Sequence, residues 1–334
     1  MATPAPPLVD GLGRVHRSLR LSITDRCNLR CRYCMPAEGM PWLAADRLLT
    51  ADELVRLAAV LARLGVGAIR VTGGEPLVRP DAVDIVRRLR RLPGVREVAL
   101  TTNGVLLADR VDALVAAGLD RVNVSVDSLD PERFALVTRR RDLDRVLAGL
   151  RACAGHAALR PVKVNAVVLR GVSEPDVLPL ARLARRGPYV VRFIEAMPLD
   201  ADRAWSRADV LPGAELREMI GARWPLEPLP RERASAPGTR WRFRDGAGEL
   251  QFVASVTEPF CAACDRLRVT ADGMLRTCLF ADAETDLRTP LRAGAGDGEI
   301  AALVRAALAA KAPGHGLAAP GYAYRGRPMS MIGG

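Results

Sequence analysis

The feature that most restricts the fold is an alternation of short apolar strands with helical stretches between residues 18 and 198. This alternation predicts parallel βα units. The predicted strands are 18–24, 68–73, 97–102, 121–127, 162–169 and 190–197. The predicted helices between them are 51–64, 81–92, 107–117, 143–153 and 175–186. These units predict an α/β fold, an incomplete (β/α)6 barrel of the TIM type, with an active site at the C-terminal ends of the strands.

Three parts of the chain are predicted from where this alternation begins and ends. Residues 1–17 start with a proline-rich stretch and are predicted to be a flexible arm. Residues 18–200 are predicted to form the barrel core. From about Leu199 the alternation stops, so residues 201–334 are predicted to be a C-terminal extension with β-hairpins.

Local patterns predict the ends of several elements. Thr50 followed by Glu53 predicts a capping box at the start of the first helix, and Gly65 predicts its end. In the extension, residues 240–245 and 249–256 flank a Gly-Ala-Gly turn and are predicted to form a hairpin.

The three cysteines Cys27, Cys31 and Cys34 directly follow the first predicted strand, and they are separated by three and then two residues. Three thiolates hold three corners of a four-iron cluster and leave the fourth iron free for a ligand that is not protein. A structural zinc site needs four nitrogen or sulfur ligands, and no fourth cysteine or histidine follows nearby. The spacing therefore favours an iron–sulfur cluster at the mouth of the barrel.

A second triplet, Cys261, Cys264 and Cys278, lies in the extension. The Asp-Gly pair at 272–273 predicts a hairpin turn that brings Cys278 back beside the Cys-x-x-Cys loop. Because His315 could complete a zinc site, zinc and iron–sulfur remain balanced here on the residues alone. Clustering in triplets favours metal ligation in a reducing cytosol over disulfides. The seventh cysteine, Cys153, is predicted to be a small packed residue.

Polar and glycine-rich segments end four of the predicted strands. They are Thr-Gly-Gly-Glu-Pro at 72–76, Thr-Thr-Asn-Gly at 101–104, Ser-Val-Asp-Ser at 125–128 and Arg-Phe-Ile-Glu at 192–195. The segment at 72–76 is also compatible with an ordinary βα turn, where its glycines would let the backbone approach a ligand, and the segment at 125–128 is also compatible with a helix N-cap. Lys163, in a strand expected to face inward, is predicted to meet an anionic or carbonyl group of a substrate.

The formal net charge of +11 raises the question of nucleic-acid binding. Of the 49 basic residues only Lys163 and Lys311 are lysines, the arginines are scattered, and aromatic residues make up 4%. No stacking platform is visible, so no nucleic-acid partner is predicted. An acidic small substrate such as a nucleoside triphosphate suits the charge, although charge alone does not decide.

No run of 18 apolar residues and no signal-peptide pattern occurs, which predicts a cytoplasmic protein without a membrane partner.

The first triplet, with Tyr33 before its last cysteine, resembles the radical S-adenosylmethionine superfamily. In that superfamily the free iron chelates the amino and carboxylate groups of S-adenosylmethionine. The strand-end segments, the second triplet followed by Arg266 and Arg268, and the terminal Gly333-Gly334 occur in the order found in one family. Over residues 18–334 the chain resembles the GTP 3′,8-cyclase family, which begins molybdenum-cofactor biosynthesis.

The resemblance implies two 4Fe–4S clusters and S-adenosylmethionine as cofactors. The first cluster, which would cleave S-adenosylmethionine, is implied to be held by Cys27, Cys31 and Cys34. The second, which would bind the guanine of GTP through its free iron, is implied to be held by Cys261, Cys264 and Cys278. The matching positions that contact S-adenosylmethionine are Tyr33, Gly74, Ser125 and Met197. Those that contact GTP are Arg20, Arg70, Thr101, Lys163, Arg266, Leu267 and Arg268. Catalytic roles are implied for Arg192, Arg266 and Arg268.

The implied reaction converts GTP to (8S)-3′,8-cyclo-7,8-dihydroguanosine 5′-triphosphate. A 5′-deoxyadenosyl radical takes the hydrogen from ribose carbon 3′, and that carbon then attacks carbon 8 of the guanine. The implied partners are an electron donor of the flavodoxin or ferredoxin type, the downstream cyclic pyranopterin monophosphate synthase and a second copy of the chain. Some relatives carry a basic residue at the position of Ala68, so one phosphate contact is not matched here.

Two other interpretations are compatible with parts of the sequence. A radical S-adenosylmethionine enzyme that acts on RNA or a peptide would keep the first triplet. It should also bring an RNA-binding module or a longer C-terminal cysteine set, and neither is visible. A basic nucleic-acid-binding protein could use both triplets as zinc sites.

Overall fold

A single sheet runs through both the predicted core and the predicted extension. The computed structural model describes residues 6–317, 322 and 324–333, and within them twelve strands join in this sheet. The strands, β1 to β12 in chain order, are Ser18–Ser22, Ala68–Thr72, Glu97–Thr102, Arg121–Ser125, Val162–Val168, Tyr189–Glu195, Leu226–Leu229, Thr239–Phe243, Glu249–Val253, Arg266–Val269, Met274–Arg276 and Thr285–Asp286. Their order across the sheet is β12-β11-β10-β1-β2-β3-β4-β5-β6-β9-β8-β7.

The centre of the sheet is parallel, and its two ends are antiparallel hairpins. Strands β1 to β6 pair in sequence, β10 joins β1 in parallel, and β9 joins β6 in parallel. Within the described residues no hydrogen bonds link β7 to β12, so the sheet stays open. The prediction of an incomplete α/β barrel is therefore confirmed.

Helices follow most of the parallel strands. The helices, α1 to α10, are Ala51–Arg63, Ala82–Arg90, Val111–Ala116, Pro131–Thr138, Leu143–Gly155, Val177–Arg186, Gly213–Gly221, Arg288–Arg292, Asp297–Ala309 and Met329–Ile332. The capping box of α1 is confirmed, because Thr50 and Glu53 exchange hydrogen bonds. The sequence prediction missed α4, although Asp130 caps it and Pro131 occupies its first position. None of the helices in the described ranges has both the length and the hydropathy needed to cross a membrane.

Strand alternation decides what faces the barrel interior. In β1, Leu19 and Leu21 are buried in the apolar core, while Arg20 between them lines interior cavities. Arg20 lies in register with Arg70 on one side and Arg268 on the other. The same two-residue period that builds the core thus places a row of cations inside the barrel.

The extension is continuous with the barrel sheet. Strand β10 extends the sheet beyond β1, and β9 extends it beyond β6, so the extension covers both edges of the parallel core. Unpaired edges would leave backbone groups without partners, and this arrangement moves the edges to short hairpin strands. The boundary at residue 200 stays a prediction.

Part of the predicted flexible arm is packed against the barrel, so that prediction is wrong for residues 8–16. Leu8 is 0% exposed, and Val9 pairs with Val15. The Leu8 amide donates to Leu64 O at 3.3 Å. Burial of Leu8 and the hydrogen bonds within this turn outweigh the proline-rich composition, which predicted an unattached arm. Residues 1–5 lie outside the described residues.

Candidate active site

Three adjoining cavities lie in and beside the barrel. The one with the first cysteine triplet is at the C-terminal ends of the parallel strands, where the sequence predicted the site, and the one with Lys163 lies nearer their N-terminal ends, beside Ser18 and Arg121. The main cavity contains the first cysteine triplet, the cationic cavity contains Lys163, and the second-triplet cavity contains Cys261 and its partners. Arg266 lines all three, so they meet around this side chain. The main cavity spans about 1300 Å³ including its open mouth.

Nearly all of the predicted site residues line these cavities. The main cavity is lined by Arg20, Cys27, Cys31, Tyr33, Cys34, Gly74, Thr101, Ser125, Arg192, Met197, Arg266 and Arg268. The cationic cavity adds Arg70 and Lys163. The second-triplet cavity adds Cys261, Cys264 and Cys278. Leu267 is the exception: it is 0% exposed in the apolar core, opposite Leu19, so only its main chain could meet a ligand.

The first triplet is a set of half-buried free thiols on a tight loop. The Cys34 amide donates to Cys31 O at 2.9 Å, which closes the turn. Burial raises the pKa of Cys27 to about 11 and that of Cys34 to about 12, and it also raises the pKa of Cys31. Three neighbouring free thiols on one loop are a donor set that fits a metal cluster, and binding such a cluster would deprotonate them.

Glycines bring the segment after β2 against the cysteine loop. The Gly74 amide donates to Thr24 O at 2.8 Å, and the next amide donates to Arg26 O at 2.8 Å. A Cβ on Gly74 would lie 2.4 Å from Asp25 O and 2.5 Å from Arg26 O. Only glycine allows two backbone segments to approach this closely.

Glu75 locks this segment to the end of β3, a role that the sequence prediction missed. Its carboxylate accepts hydrogen bonds from Thr102 Oγ1 at 2.7 Å, from the Asn103 amide at 2.6 Å and from the Leu77 amide at 2.9 Å. Burial raises the pKa of Glu75 to about 7, although these hydrogen bonds act in the opposite direction. Asn103 in turn contacts the first triplet, with Nδ2 3.9 Å from Cys27 Sγ.

Tyr33 connects the cysteine loop to the fourth and fifth strands. Its hydroxyl donates to Asp127 Oδ2 at 2.7 Å, and Asp127 Oδ1 accepts from the Val167 amide at 2.9 Å. Burial raises the pKa of Asp127 to about 6. Tyr33 therefore fixes the loop in the barrel mouth as well as lining the main cavity.

The cationic cavity holds more positive than negative charge. Its basic residues are Arg20, Arg70, Arg121, Lys163, Arg192, Arg233, Arg240 and Arg266, whereas its acidic residues are Glu232 and Asp265. Lys163 Nζ lies 3.4 Å from Glu232 Oε1. In the described part of the chain, Arg20 Nε and Arg70 Nη1 are enclosed without a hydrogen-bond partner. Such groups are costly unless a ligand pairs with them, so the cavity suits a polyanion.

The pKa values of these cations reflect their crowding. Removal from water and repulsion from neighbouring arginines lower the pKa of Lys163 to about 8, of Arg70 to about 9 and of Arg192 to about 10. The pKa of Arg20 is lowered for the same reasons. Arg192 also donates two hydrogen bonds to Gln251 Oε1, at 2.7 and 3.1 Å, which holds its guanidinium in place.

The second triplet is more electropositive than the first. Burial raises the pKa of Cys264, but Arg266 and Lys311 outweigh this and lower it to about 7. Arg266 stacks over Phe260 at 4.7 Å beside the Cys261 loop. Across the described ranges, no three His, Cys, Asp or Glu side chains converge as the ligands of one metal ion would.

Comparisons with known proteins match the whole length of this arrangement. The Radical SAM superfamily model matches residues 21–184, and the Molybdenum Cofactor Synthesis C model matches residues 189–317. The GTP 3′,8-cyclase of Mycobacterium sp. (strain KMS) is 51% identical over 98% of this chain and 94% of that protein. The GTP 3′,8-cyclase of Streptomyces coelicolor is 49% identical over 98% of this chain and 96% of that protein. The chain belongs to the GTP 3′,8-cyclase family.

A solved structure supports the fold of this family member. Streptococcus suis SuiB bound to S-adenosylmethionine superposes with a TM-score of 0.58 at 14% identity, over 82% of this chain and 63% of that one. Cyclases of this family use S-adenosylmethionine and iron–sulfur clusters, in agreement with the thiol chemistry of the first triplet. The alternative of a zinc-containing nucleic-acid-binding protein is therefore wrong.

The C-terminal tail of this cyclase-family chain reaches the main cavity. Arg268 Nη1 donates to Gly333 O at 2.7 Å, and Met329 and Ser330 line the cavity. Gly333 has a φ of 75°, and a Cβ there would lie 2.4 Å from Thr72 Oγ1. Glycine at this position is therefore required by both conformation and space. Gly334 lies outside the described residues.

The sequence prediction missed several polar residues of the main cavity. Asn123 and Asn165 line it, and each has an enclosed Oδ1 for which the described residues offer no donor. Asn123 lies between Thr101 and Lys163 in the strand register. Their inward-facing positions follow from alternation with the buried valines of the same strands, which is the pattern that could have identified them.

Proposed function

We propose that the chain cyclises GTP to (8S)-3′,8-cyclo-7,8-dihydroguanosine 5′-triphosphate, the first step of molybdenum-cofactor biosynthesis. The observation that supports this most is a set of adjoining cavities that contains both thiol triplets together with cations that lack full pairing. A nucleoside triphosphate combines a base, a sugar and a polyanion. These cavities offer groups that can bind all three.

The first triplet is proposed to hold the cluster that binds S-adenosylmethionine. When bound, the cluster and S-adenosylmethionine together would supply the 5′-deoxyadenosyl radical that removes the hydrogen from ribose carbon 3′. Tyr33, Gly74, Ser125 and Met197 are proposed to contact S-adenosylmethionine, because each lines the main cavity beside the triplet. The main chain around Gly74 can lie against the ligand since no side chain intervenes.

The cationic cavity is proposed to bind the triphosphate. Arg20 and Arg70 each have an enclosed nitrogen without a partner among the described residues, Lys163 adds a third positive charge, and Thr101 provides a hydroxyl in the adjoining main cavity. Arginine–phosphate pairs add geometry to charge because the guanidinium presents parallel donors. Fixing the triphosphate restrains the ribose, as hydrogen transfer requires reacting atoms about 3–3.5 Å apart.

The second triplet is proposed to hold a cluster that binds the guanine. Arg266 and Arg268 lie on the same face of β10 and line both the main and the second-triplet cavities. With Arg192 they are proposed as catalytic residues that stabilise negative charge on the bound nucleotide during cyclisation. For Leu267, the proposed GTP contact is limited to its main chain.

Partners and location are also proposals. The reaction consumes electrons, which an acidic carrier of the flavodoxin or ferredoxin type would deliver. The cyclised product would pass to cyclic pyranopterin monophosphate synthase. We also propose that the chain forms a homodimer and acts in the cytoplasm, where reduced cysteines persist.

Isotope transfer tests the proposed function directly. Anaerobically reconstituted protein is mixed with S-adenosylmethionine, dithionite and GTP deuterated at ribose carbon 3′. The expected result is 5′-deoxyadenosine that carries one deuterium, detected by mass spectrometry. Undeuterated 5′-deoxyadenosine would retain the radical chemistry but contradict GTP carbon 3′ as its target. Absence of 5′-deoxyadenosine from protein with ~8 bound irons, the number in two four-iron clusters, would contradict the radical chemistry itself.

The pH dependence of kcat/KM for GTP should follow the protonation of Lys163. Its pKa of about 8 in the free protein means that the ammonium is charged at pH 7 and neutral at pH 9. We expect kcat/KM for GTP to fall as pH rises through 8, by up to about tenfold for one charged hydrogen bond of ~1.5 kcal/mol. Phosphate groups, with a second pKa near ~6, are already ionised in this range.

Lys163→Arg is the matched control, because the ordinary pKa of a guanidinium, 12.5, lies above the 10.5 of an ammonium, so the same surroundings leave it charged where Lys163 is neutral. It should remove the decline above pH 8. The effect on folding has the opposite sign: the folded pKa lies below the ordinary 10.5, so the free energy of unfolding should rise between pH 8 and 10.5. An identical decline in kcat/KM for Lys163→Arg would contradict the assignment.

A further inference from the structure

Lys311 lies directly behind the second cysteine triplet. It follows α9 and is 6% exposed. Its Nζ donates to Cys264 Sγ at 3.5 Å and to Arg266 O at 3.0 Å. One side chain therefore contacts both a proposed cluster ligand and the main chain of a proposed GTP-binding residue.

The ammonium of Lys311 has no carboxylate partner among the residues that the structure describes. Asp10, on the packed N-terminal turn, is occupied by Arg14 Nε at 2.6 Å and by His16 Nε2 at 3.0 Å. A buried cation is stable only when negative charge lies close to it. The negative charge available to Lys311 is that of the cysteine thiolates.

Arg14 fixes the position of Lys311. Its guanidinium donates to Cys261 O at 2.9 Å, Ala312 O at 2.9 Å and Pro313 O at 3.0 Å. These bonds tie the two residues after Lys311 to the cysteine loop itself. The ammonium thus approaches Cys264 from a fixed direction rather than through a flexible surface side chain.

We propose that Lys311 is a positioning residue that raises the reduction potential of a cluster held by Cys261, Cys264 and Cys278. Reduction adds negative charge to a cluster, and hydrogen bonds to the sulfurs together with nearby positive charge stabilise that state. By holding the Arg266 carbonyl, the same ammonium couples the cluster to a residue that contacts the nucleotide. This inference rests on the proposed function, because it requires a cluster at the second triplet.

The test isolates the second site in the full-length chain. Cys27, Cys31 and Cys34 are replaced together by serine, and the anaerobically reconstituted protein is assayed for iron, acid-labile sulfide and its EPR signal on reduction. The midpoint potential is then measured with Lys311 intact and with Lys311→Met. The expected change is at least tenfold in the reduction equilibrium, which is about 59 mV more negative for one electron.

Two further variants separate charge from packing. Lys311→Arg keeps the charge and should hold the potential near that of the parent, whereas Lys311→Gln keeps a donor without charge and should shift it as Lys311→Met does. Arg145→Met, on the exposed surface of α5, is the control for net charge and should leave the potential unchanged.

The outcomes distinguish the inference from the proposed function. If the serine variant binds no iron, the proposed second cluster is wrong. If it binds a cluster whose potential is the same with Lys311→Met, only the role of Lys311 is wrong. Lys311→Met and Lys311→Gln could both fail to retain the cluster. In that case, a cluster retained by Lys311→Arg supports the need for a positive charge, and a cluster lost from Lys311→Arg contradicts it.

Discussion

Gly74→Ala is expected to lower the rate of S-adenosylmethionine cleavage by about 10²-fold or more. The added methyl would lie 2.4–2.5 Å from two backbone oxygens of the cysteine loop, and backbone cannot rotate away as a side chain can. The loop must therefore move relative to β2. A displacement of about 1 Å at a reacting centre typically costs this much. Overpacking of this kind should also lower the free energy of unfolding by about 1–3 kcal/mol.

The matched control for this variant is Gly155→Ala. Gly155 ends α5, and no atom outside its neighbours lies within 4 Å of a Cβ built there. This substitution should leave activity unchanged and stability equal or slightly higher, because alanine restricts the unfolded chain. Both variants are measured by 5′-deoxyadenosine formation, iron content and urea unfolding. Wild-type cleavage by Gly74→Ala with full iron content would contradict the requirement for close approach.

Arg20→Met is expected to weaken GTP binding and stabilise the ligand-free protein at the same time. Arg20 is half-buried, and Arg268, Arg70 and Arg266 repel it. Loss of a charge-assisted contact worth roughly 3 kcal/mol corresponds to about a 10²-fold lower affinity. Without ligand, removal of an incompletely paired cation should raise the free energy of unfolding by about 0.5–2 kcal/mol, as is common when a binding site is relieved of strain.

The opposite signs of the two effects make this prediction specific. GTP affinity is measured by calorimetry and stability by thermal unfolding in the absence of nucleotide. Arg145→Met makes the same chemical change on the exposed face of α5 and should alter neither quantity. An Arg20→Met protein that is less stable than the parent without GTP would show that Arg20 supports the fold rather than the ligand.

Much of the barrel was predictable because its elements are encoded locally. The strand at 97–102 and the capping box of Thr50 and Glu53 were predicted correctly. Both patterns, the two-residue repeat of side-chain direction in a strand and the short cap sequence, involve only residues close together in the chain. The placement of Arg266 and Arg268 on one face and Leu267 on the other follows from the same period. It is the resemblance to the family, not the strand pattern, that assigned Leu267 to GTP.

What each sequence segment touches was decided by long-range pairing. Strand β10 pairs with β1, about 250 residues away in the chain, and this pairing brings the second triplet to the cavity region that contains the first. The buried turn at 8–16 and the contact of Lys311 with Cys264 depend on the same packing. The sequence by itself determined the βα units and the two thiol triplets. Only the tertiary structure decided which cations are left without partners, because that depends on which strands become neighbours.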